Sequence, residues 1–214
     1  MEASAQFWDS IADEYAQKPV ADVPAYEAKL QATKARLSAD DVVLDLGCGT
    51  GSLALELAPH ARHVHSVDIS SEMIRIGRHK ASVAGVENIT FHHTPVDTLP
   101  AFETGSFNMV CAYNIVHLVE DRAALLARIR ELLAPGGHFV STTPCLGEGA
   151  APIALGIRGL IATLRLFGKA PERVESLSVP ELLAEYEAAG FVDITRKPVS
   201  KSRRTAFVLA RSPW

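Results

Sequence analysis

Residues 42–51 read VVLDLGCGTG, in which an apolar segment runs directly into three glycines separated by single residues. Glycine accepts a backbone with positive φ, and it lets a ligand approach where a Cβ atom would collide with it. A helix that begins directly after such a turn also presents free N–H groups to that ligand. The stretch therefore predicts a buried strand followed by a ligand-binding turn at residues 47–51.

Around this turn, short β-rich segments alternate with segments whose apolar residues have helical spacing. Strands are predicted at 42–46, 63–67, 89–92, 107–112 and 138–143. Helices are predicted at 7–15, 26–37, 51–58, 71–84 and 121–133, and Pro135-Gly136-Gly137 is expected to end the last of them. Such alternation is typical of a parallel sheet covered by helices on both faces. We therefore predict an α/β fold with a doubly wound sheet, in which ligands bind beyond the carboxyl ends of the strands.

The C-terminal part predicts one more helix and two more strands. Ser178 and Glu181 have the spacing of a capping box, and Gly190 is expected to end the helix that they begin. Only a turn-rich stretch separates the last two strands, 191–196 and 205–210, so this pair should be antiparallel. The predicted sheet then has seven strands, mostly parallel, with the last strand antiparallel.

Composition and charge exclude several classes of protein. The 214 residues are 48% hydrophobic and 21% charged, which predicts one globular domain with a sizeable core. A net charge of −4 gives no basic field for nucleic-acid binding. The sequence contains neither a signal-peptide pattern nor a run of 18 apolar residues, so we expect no membrane span. Three cysteines without paired spacing fit reduced thiols, which favours a cytoplasmic protein.

A carboxylate at the end of the second predicted strand narrows the choice of ligand. Asp68 lies where its oxygens can accept hydrogen bonds from both hydroxyls of a ribose. Together with the glycine turn, it predicts a cofactor that carries a nucleoside. A dinucleotide fingerprint, G-x-G-x-x-G, would require glycine where the chain has Ser52, and no Gly-Lys-Ser/Thr follows to make a P-loop.

The glycine turn resembles the first motif of the class I S-adenosylmethionine-dependent methyltransferases, an acid and one further residue followed by G-x-G-x-G. The matching positions are Asp45, Gly47, Gly49 and Gly51. Other stretches resemble parts of the family and follow in the same order. FWDSIADEYA resembles the N-terminal helix of ubiquinone-biosynthesis-like members, and VDISSEMI resembles the second motif of the family. TLPAFETGSFNMVCAYNIVHLVED resembles the region around the fourth strand, and LLAPGGHFV resembles the turn into the fifth strand. The resemblance extends from Phe7 to about Leu209. It implies a Rossmann-like fold and S-adenosyl-L-methionine as the cofactor.

The resemblance also implies roles for individual residues. Tyr15 would contact the methionine end of the cofactor, and Asp68 would hold the ribose. The implied cofactor-binding set is Tyr15, Asp45, Gly47, Cys48, Gly49, Gly51, Asp68, Ile69, Met73, Val96, Asp97 and Asn114. Family members usually carry an acid two residues before the position of Asp97, where this chain has Pro95. Asp97 or the backbone of Val96 is therefore expected to contact the adenine.

Asn114 and His117 follow the fourth predicted strand, where members of the family line the face of methyl transfer. His117 could accept a proton from an oxygen, nitrogen or sulfur nucleophile if its pKa lies near the working pH. The alternative is a packing or contact role without proton transfer, because positioning alone can drive this chemistry. The histidines at 63, 65, 92 and 93 lack further ligands at suitable spacing, so no metal site is predicted.

Residues 153–167 carry an apolar stripe at helical spacing. It consists of Ile153, Ile157, Leu160, Ile161, Leu164 and Phe167, with Arg158, Arg165 and Lys169 opposite. Three interpretations stay open: a core helix packed on the sheet, a lid over an apolar acceptor, or a helix lying on a membrane surface.

The whole sequence thus predicts a methyltransferase of one domain. Its parts are a helical cap at 1–40, a cofactor-binding core at 41–145, a lid-like insertion at 146–178, and a C-terminal helix with strands at 179–214. The acceptor is expected to be small or lipid-like, with an oxygen, nitrogen, sulfur or carbon nucleophile. A non-catalytic cofactor-binding module, a lipid methyltransferase at a membrane surface and, less favoured, a dehydrogenase are the alternatives. Nothing in the sequence indicates the oligomeric state.

Overall fold

The computed structural model describes residues 2–147, 174–199 and 204–213. Its strands are β1 (Val42–Leu46), β2 (His63–Asp68), β3 (Ile89–His93), β4 (Phe107–Tyr113), β5 (Leu133–Pro144), β6 (Val192–Lys197) and β7 (Thr205–Arg211). Its α-helices are α1 (Glu2–Gln17), α2 (Val23–Lys34), α3 (Ser52–Leu57), α4 (Ser71–Val83), α5 (Arg122–Leu132) and α6 (Val179–Ala188). Single 3-10 turns lie at Ala58–His60, Val96–Thr98 and Val116–Leu118.

The seven described strands form one sheet in the order β3-β2-β1-β4-β5-β7-β6. All neighbouring pairs from β3 to β5 are parallel, whereas β7 is antiparallel to both β5 and β6. This topology confirms the predicted α/β fold with a seven-stranded, mostly parallel sheet and an antiparallel last strand. From β1 the chain winds outward to β3 and then returns to β4 on the other side of β1. The winding reverses between β1 and β4, and a crevice at the carboxyl ends of these strands is the expected ligand site.

Helices cover both faces of the sheet, so β1 is buried on both sides. Leu44 and Leu46 belong to the core on one face, and Val43 belongs to the core on the other. All five residues of β1 are buried. The apolar run that preceded the glycine turn in the sequence is therefore the centre of the sheet.

Several helix and strand boundaries differ from the prediction. α2 ends at Lys34, so Leu37 lies beyond it. α5 ends at Leu132, one residue before the predicted end, but β5 begins with the next residue, so Pro135-Gly136-Gly137 lie within a strand that was predicted to begin only at 138. Phe107 pairs with Leu133 and Met109 with His138, so the residues between them bulge out of β5. A bulge accepts proline and glycine inside a strand, because its residues do not take part in the regular ladder.

The N-terminal helix lies against α4 rather than against the sheet. Ala12 of α1 packs on Met73 and Ile76 of α4. Among the described residues, every helix is too short or too polar to traverse a lipid bilayer. The apolar stripe at 153–167 and its three interpretations lie outside the described residues and stay predictions.

Candidate functional site

A cavity of about 760 Å³ lies at the carboxyl ends of β1, β2, β3 and β4. Its volume is in the range of sites that enclose small molecules. The structure brings together on its walls most of the residues that the sequence proposed: Tyr15, Gly47, Gly49, Asp68, Ile69, Met73, Val96, Asp97, Asn114 and His117. Asp45, Cys48 and Gly51 do not line it.

The three glycines of the turn serve different purposes. All have positive φ, +64° at Gly47, +52° at Gly49 and +73° at Gly51. A Cβ atom at Gly47 or Gly51 would come within 2.9 Å of Ile115 or Phe91, respectively, so packing requires glycine there. A Cβ atom at Gly49 would meet only Cε1 of Tyr15, at 3.7 Å, among the described atoms. The space beside Gly49 is therefore open toward the cavity.

Asp68 connects the glycine turn to the end of β2. Its Oδ2 accepts a hydrogen bond of 2.8 Å from the backbone N–H of Gly49, and its Oδ1 accepts one of 2.9 Å from that of Ser70. Burial raises the pKa of this carboxyl, and these two hydrogen bonds oppose that effect. Each carboxylate oxygen has a second lone pair. Asp68 can thus hold the turn and still accept hydrogen bonds from a ligand in the cavity.

Asp45 lies beneath the turn. It is 1% exposed, and its Oδ2 has no hydrogen-bond partner among the described residues. Burial, and next the neighbouring charge of Asp68, raise the pKa of Asp45 to about 8. The structure thus places a protonated, buried acid where the sequence placed a cofactor contact.

Replacing Asp45 by asparagine should raise the melting temperature at pH 8 and have a smaller effect at pH 4. The folded protein keeps the Asp45 proton up to pH about 8, whereas an unfolded chain loses it near the ordinary pKa of 3.8. The stability that the protonated group provides is therefore complete below pH 3.8 and is lost as the pH rises toward 8. Each kcal/mol gained in the free energy of unfolding should raise the melting temperature by about 2–4 °C in a domain of this size.

Thermal unfolding of the ligand-free protein from pH 4 to pH 8 would measure this effect, with the exposed Asp40→Asn as the matched control. A difference between wild type and Asp45→Asn that does not change with pH would contradict the assignment of the buried proton.

The segment after β4 forms the opposite wall of the cavity. Asn114 has a left-handed backbone, with φ of +58°, and its N–H donates a hydrogen bond of 2.7 Å to the carbonyl of Thr142. His117 follows on a 3-10 turn and is 8% exposed. Its Nδ1 has no hydrogen-bond partner among the described residues, and burial lowers its pKa to about 4. His117 is therefore a neutral ring that lines the cavity and whose buried Nδ1 has no partner among the described residues.

Part of the cavity wall was not anticipated. Trp8 lines it, and it lies seven residues before Tyr15, which is two helical turns on the same face of α1. This spacing in the sequence could have indicated that Trp8 lies beside Tyr15 at the cavity. Further apolar residues of the wall were not predicted either, namely Ile115, Leu118, Val119, Pro144 and Val174.

The residues that the resemblance assigns to the adenine of the cofactor lie in the segment after β3. Pro95, Val96 and Asp97 all line the cavity. Burial raises the pKa of Asp97, as do the nearby charges of Glu120 and Asp121. Elsewhere in the described residues, no three histidine, cysteine or acidic side chains are arranged to hold a metal ion.

Comparisons with known proteins agree with this geometry. A family model described as a methyltransferase domain matches residues 43–137. The chain is 33% identical over 101 residues to a ubiquinone biosynthesis O-methyltransferase of Acinetobacter baumannii (strain ACICU), a match that covers 47% of this chain and 43% of the relative. It is 30% identical over 159 residues to the protein of the same name from Xanthomonas axonopodis pv. citri (strain 306), covering 74% of this chain and 65% of the relative. These matches span less than two thirds of the length of both relatives.

Among solved structures, the fold is similar to that of phosphoethanolamine N-methyltransferase 2 from Haemonchus contortus in complex with S-adenosyl-L-methionine. The TM-score is 0.72 at 17% sequence identity, and the likeness covers 88% of this chain and 53% of that chain. At such low identity the likeness shows a shared fold.

Proposed function

The chain belongs to the class I S-adenosylmethionine-dependent methyltransferases, and on that premise we propose that it moves a methyl group to a small, partly apolar acceptor. The cofactor of this family is S-adenosyl-L-methionine. The single observation that carries the proposal is Gly49, whose missing side chain leaves open space and whose backbone N–H donates a hydrogen bond to the carboxylate of Asp68. A backbone cradle next to a hydrogen-bond-accepting acid suits a ligand with a ribose.

On this proposal, the residues predicted to bind the cofactor form two groups, those that line the cavity and those that support the glycine turn. Asp68 holds the ribose hydroxyls, the backbone of Gly47 and Gly49 lies along the cofactor, and Val96 with Asp97 lies at the adenine. Tyr15, Ile69 and Met73 complete that side. Asp45, Cys48 and Gly51 support the turn from behind, since they do not line the cavity.

The chemistry requires positioning more than proton transfer. When bound, S-adenosyl-L-methionine supplies an electrophilic methyl group on a sulfonium that leaves as a neutral thioether. The protein then has to hold the acceptor in line and exclude water. In our proposal, Asn114 and His117, on the wall opposite Asp68, hold the acceptor in line with the methyl group. Because burial lowers the pKa of His117 to about 4, its neutral ring suits accepting a hydrogen bond from the acceptor better than removing a proton near neutral pH.

The acceptor is proposed to be a hydroxyl compound with an apolar part. The names of the relatives, both O-methyltransferases, support an oxygen nucleophile. Ile115, Leu118 and Val119 support the apolar part, because they line the cavity beside His117. Covering apolar acceptor surface contributes ~25 cal/mol per Å² to binding.

The function is tested by release of S-adenosylhomocysteine from S-adenosyl-L-methionine with panels of phenols, amines and thiols, each with and without an apolar substituent. Phenols with the substituent should be the best acceptors. Leu118→Ser should then raise the KM for the acceptor by about 10-fold, because it removes apolar contact surface, while the dissociation constant of S-adenosylhomocysteine stays unchanged.

Leu183→Ser is the matched control, since Leu183 is a half-buried leucine packed on the core away from the cavity. It should lower the melting temperature without changing the KM. Tight cofactor binding with no transfer to any acceptor would favour a non-catalytic binding module, and faster turnover of amines than of phenols would refute the oxygen nucleophile.

A further inference from the structure

Asp9 of α1 binds the beginning of α4. Its Oδ1 accepts hydrogen bonds from the hydroxyl of Ser70, at 2.6 Å, and from the backbone N–H of Glu72, at 3.1 Å. The hydroxyl of Ser71 lies 3.4 Å from both carboxylate oxygens. Ser70 is itself the N-cap of α4 and accepts a hydrogen bond from the N–H of Met73. Asp9 thus satisfies a second free N–H group of that helix from a distant part of the chain.

The charge of Asp9 suits this place. A negative charge is favourable beside the N-terminus of a helix, where unpaired N–H groups give a positive potential. Burial by itself would raise the pKa of the carboxyl, but the hydrogen bonds from Ser70, Glu72 and Ser71 more than offset this effect and lower the pKa. Asp9 is therefore a carboxylate near neutral pH.

Ser70 also connects Asp9 to the ligand cavity. The backbone N–H of Ser70 donates to Oδ1 of Asp68, and Oδ2 of Asp68 accepts from the N–H of Gly49. The contacts Asp9–Ser70–Asp68–Gly49, here called the Ser70 network, run without a gap from the N-terminal helix to the glycine turn. Asp9 itself does not line the cavity.

The helix that Asp9 fixes is one wall of the same cavity. Ser4, Trp8 and Tyr15 of α1 all line it. The apolar contact between α1 and α4 centres on the small Ala12 and the side chains of Met73 and Ile76. Trp8 and Ala16 of α1 also pack against this cluster. The polar contacts of Asp9 add to this apolar contact in setting the position of α1 on α4.

We propose that Asp9 is a positioning residue that fixes α1 over the cavity and, through Ser70, holds Asp68 in its ligand-binding orientation. This inference rests on the proposed function, in which Asp68 binds the cofactor ribose. Removing the Asp9 carboxylate loosens two walls of the cavity at once. The cofactor product should then dissociate faster, although Asp9 does not touch it.

The experiment compares the wild type with Asp9→Ala, Asp9→Asn and Asp13→Ala. Asp13 is the matched control, because it lies on the same helix and forms an exposed ion pair of 3.6 Å with Arg75 of α4 but has no contact with Ser70. Asparagine at position 9 keeps the Oδ1 acceptor for Ser70 and Glu72, so it should rescue the function. Two quantities are measured: the affinity and dissociation rate of S-adenosylhomocysteine, and amide hydrogen exchange of α1 without ligand.

Asp9→Ala should weaken S-adenosylhomocysteine binding by about 10-fold, mainly through faster dissociation, as expected when a charge-assisted hydrogen bond is lost. Exchange in α1 should accelerate in parallel. Asp9→Asn should stay within about 3-fold of the wild type, since it keeps one acceptor oxygen. Asp13→Ala should stay within about 2-fold, because exposed ion pairs contribute little.

Wild-type affinity in Asp9→Ala, or an equal loss in Asp13→Ala, would overturn the proposal. Unchanged exchange in α1 would also overturn it, and that measurement needs no ligand. A wild-type protein that does not bind S-adenosylhomocysteine would instead show that the proposed function has failed, so the two failures are distinguishable.

Discussion

Gly49→Val is expected to lower the affinity for S-adenosylhomocysteine by more than about 100-fold, equivalent to ~2.7 kcal/mol of binding free energy. The space beside Gly49 is open and its N–H binds the carboxylate of Asp68, so two added methyl groups would occupy the position where the ligand approaches the backbone. Titration calorimetry on the folded variant measures the loss.

Valine at a positive φ also strains the backbone, and Gly85→Val separates that effect from filling of the cavity. Gly85 has φ of +66° and no described atom within 4 Å of an added Cβ, and it does not line the cavity. Both variants should lose stability, but only Gly49→Val should lose binding. Equal affinities in the two variants would remove the glycine turn from the ligand site.

Asp68→Ala is expected to weaken S-adenosylhomocysteine binding by roughly 10- to 100-fold, the usual loss when charge-assisted hydrogen bonds disappear. The structure adds a second reason, because the same carboxylate holds the N–H groups of Gly49 and Ser70. Part of the loss should therefore come from a loosened turn.

An S-adenosylhomocysteine analogue without the two ribose hydroxyls separates the direct effect from the indirect one. Asp68→Ala should weaken binding of the analogue much less than binding of the natural ligand, since only the loosened turn then matters. Equal losses for the two ligands would mean that Asp68 acts through the turn alone.

The sheet could be predicted from the sequence because its signals are local. The run from Val42 to Leu46 is buried on both faces of a parallel sheet, and such strands are apolar throughout. The capping box at Ser178 and Glu181 is likewise present, since it depends on residues three positions apart. The start of β5 at Leu133 was missed, because proline and glycine are typical both of a turn after a helix and of a bulge within a strand.

The finer parts of the site could not be predicted, because they depend on contacts between distant parts of the chain. Asp45 was expected to contact the cofactor, but it is buried and does not line the cavity. Asp9 lies within a stretch that resembles the family, yet its partner Ser70 is 61 residues away. Sequence spacing gives no information on such a pair.

The placement of β7 between β5 and β6 has a consequence for how the protein is made. β6 leaves the ribosome before β7 but has a place in the sheet only through it, since β7 pairs with both neighbours. Until residues 205–211 emerge, β5 therefore keeps an open edge in the nascent chain, and open edges invite pairing with other chains. A truncation before residue 205 would delete one strand from the sequence but detach two from the sheet.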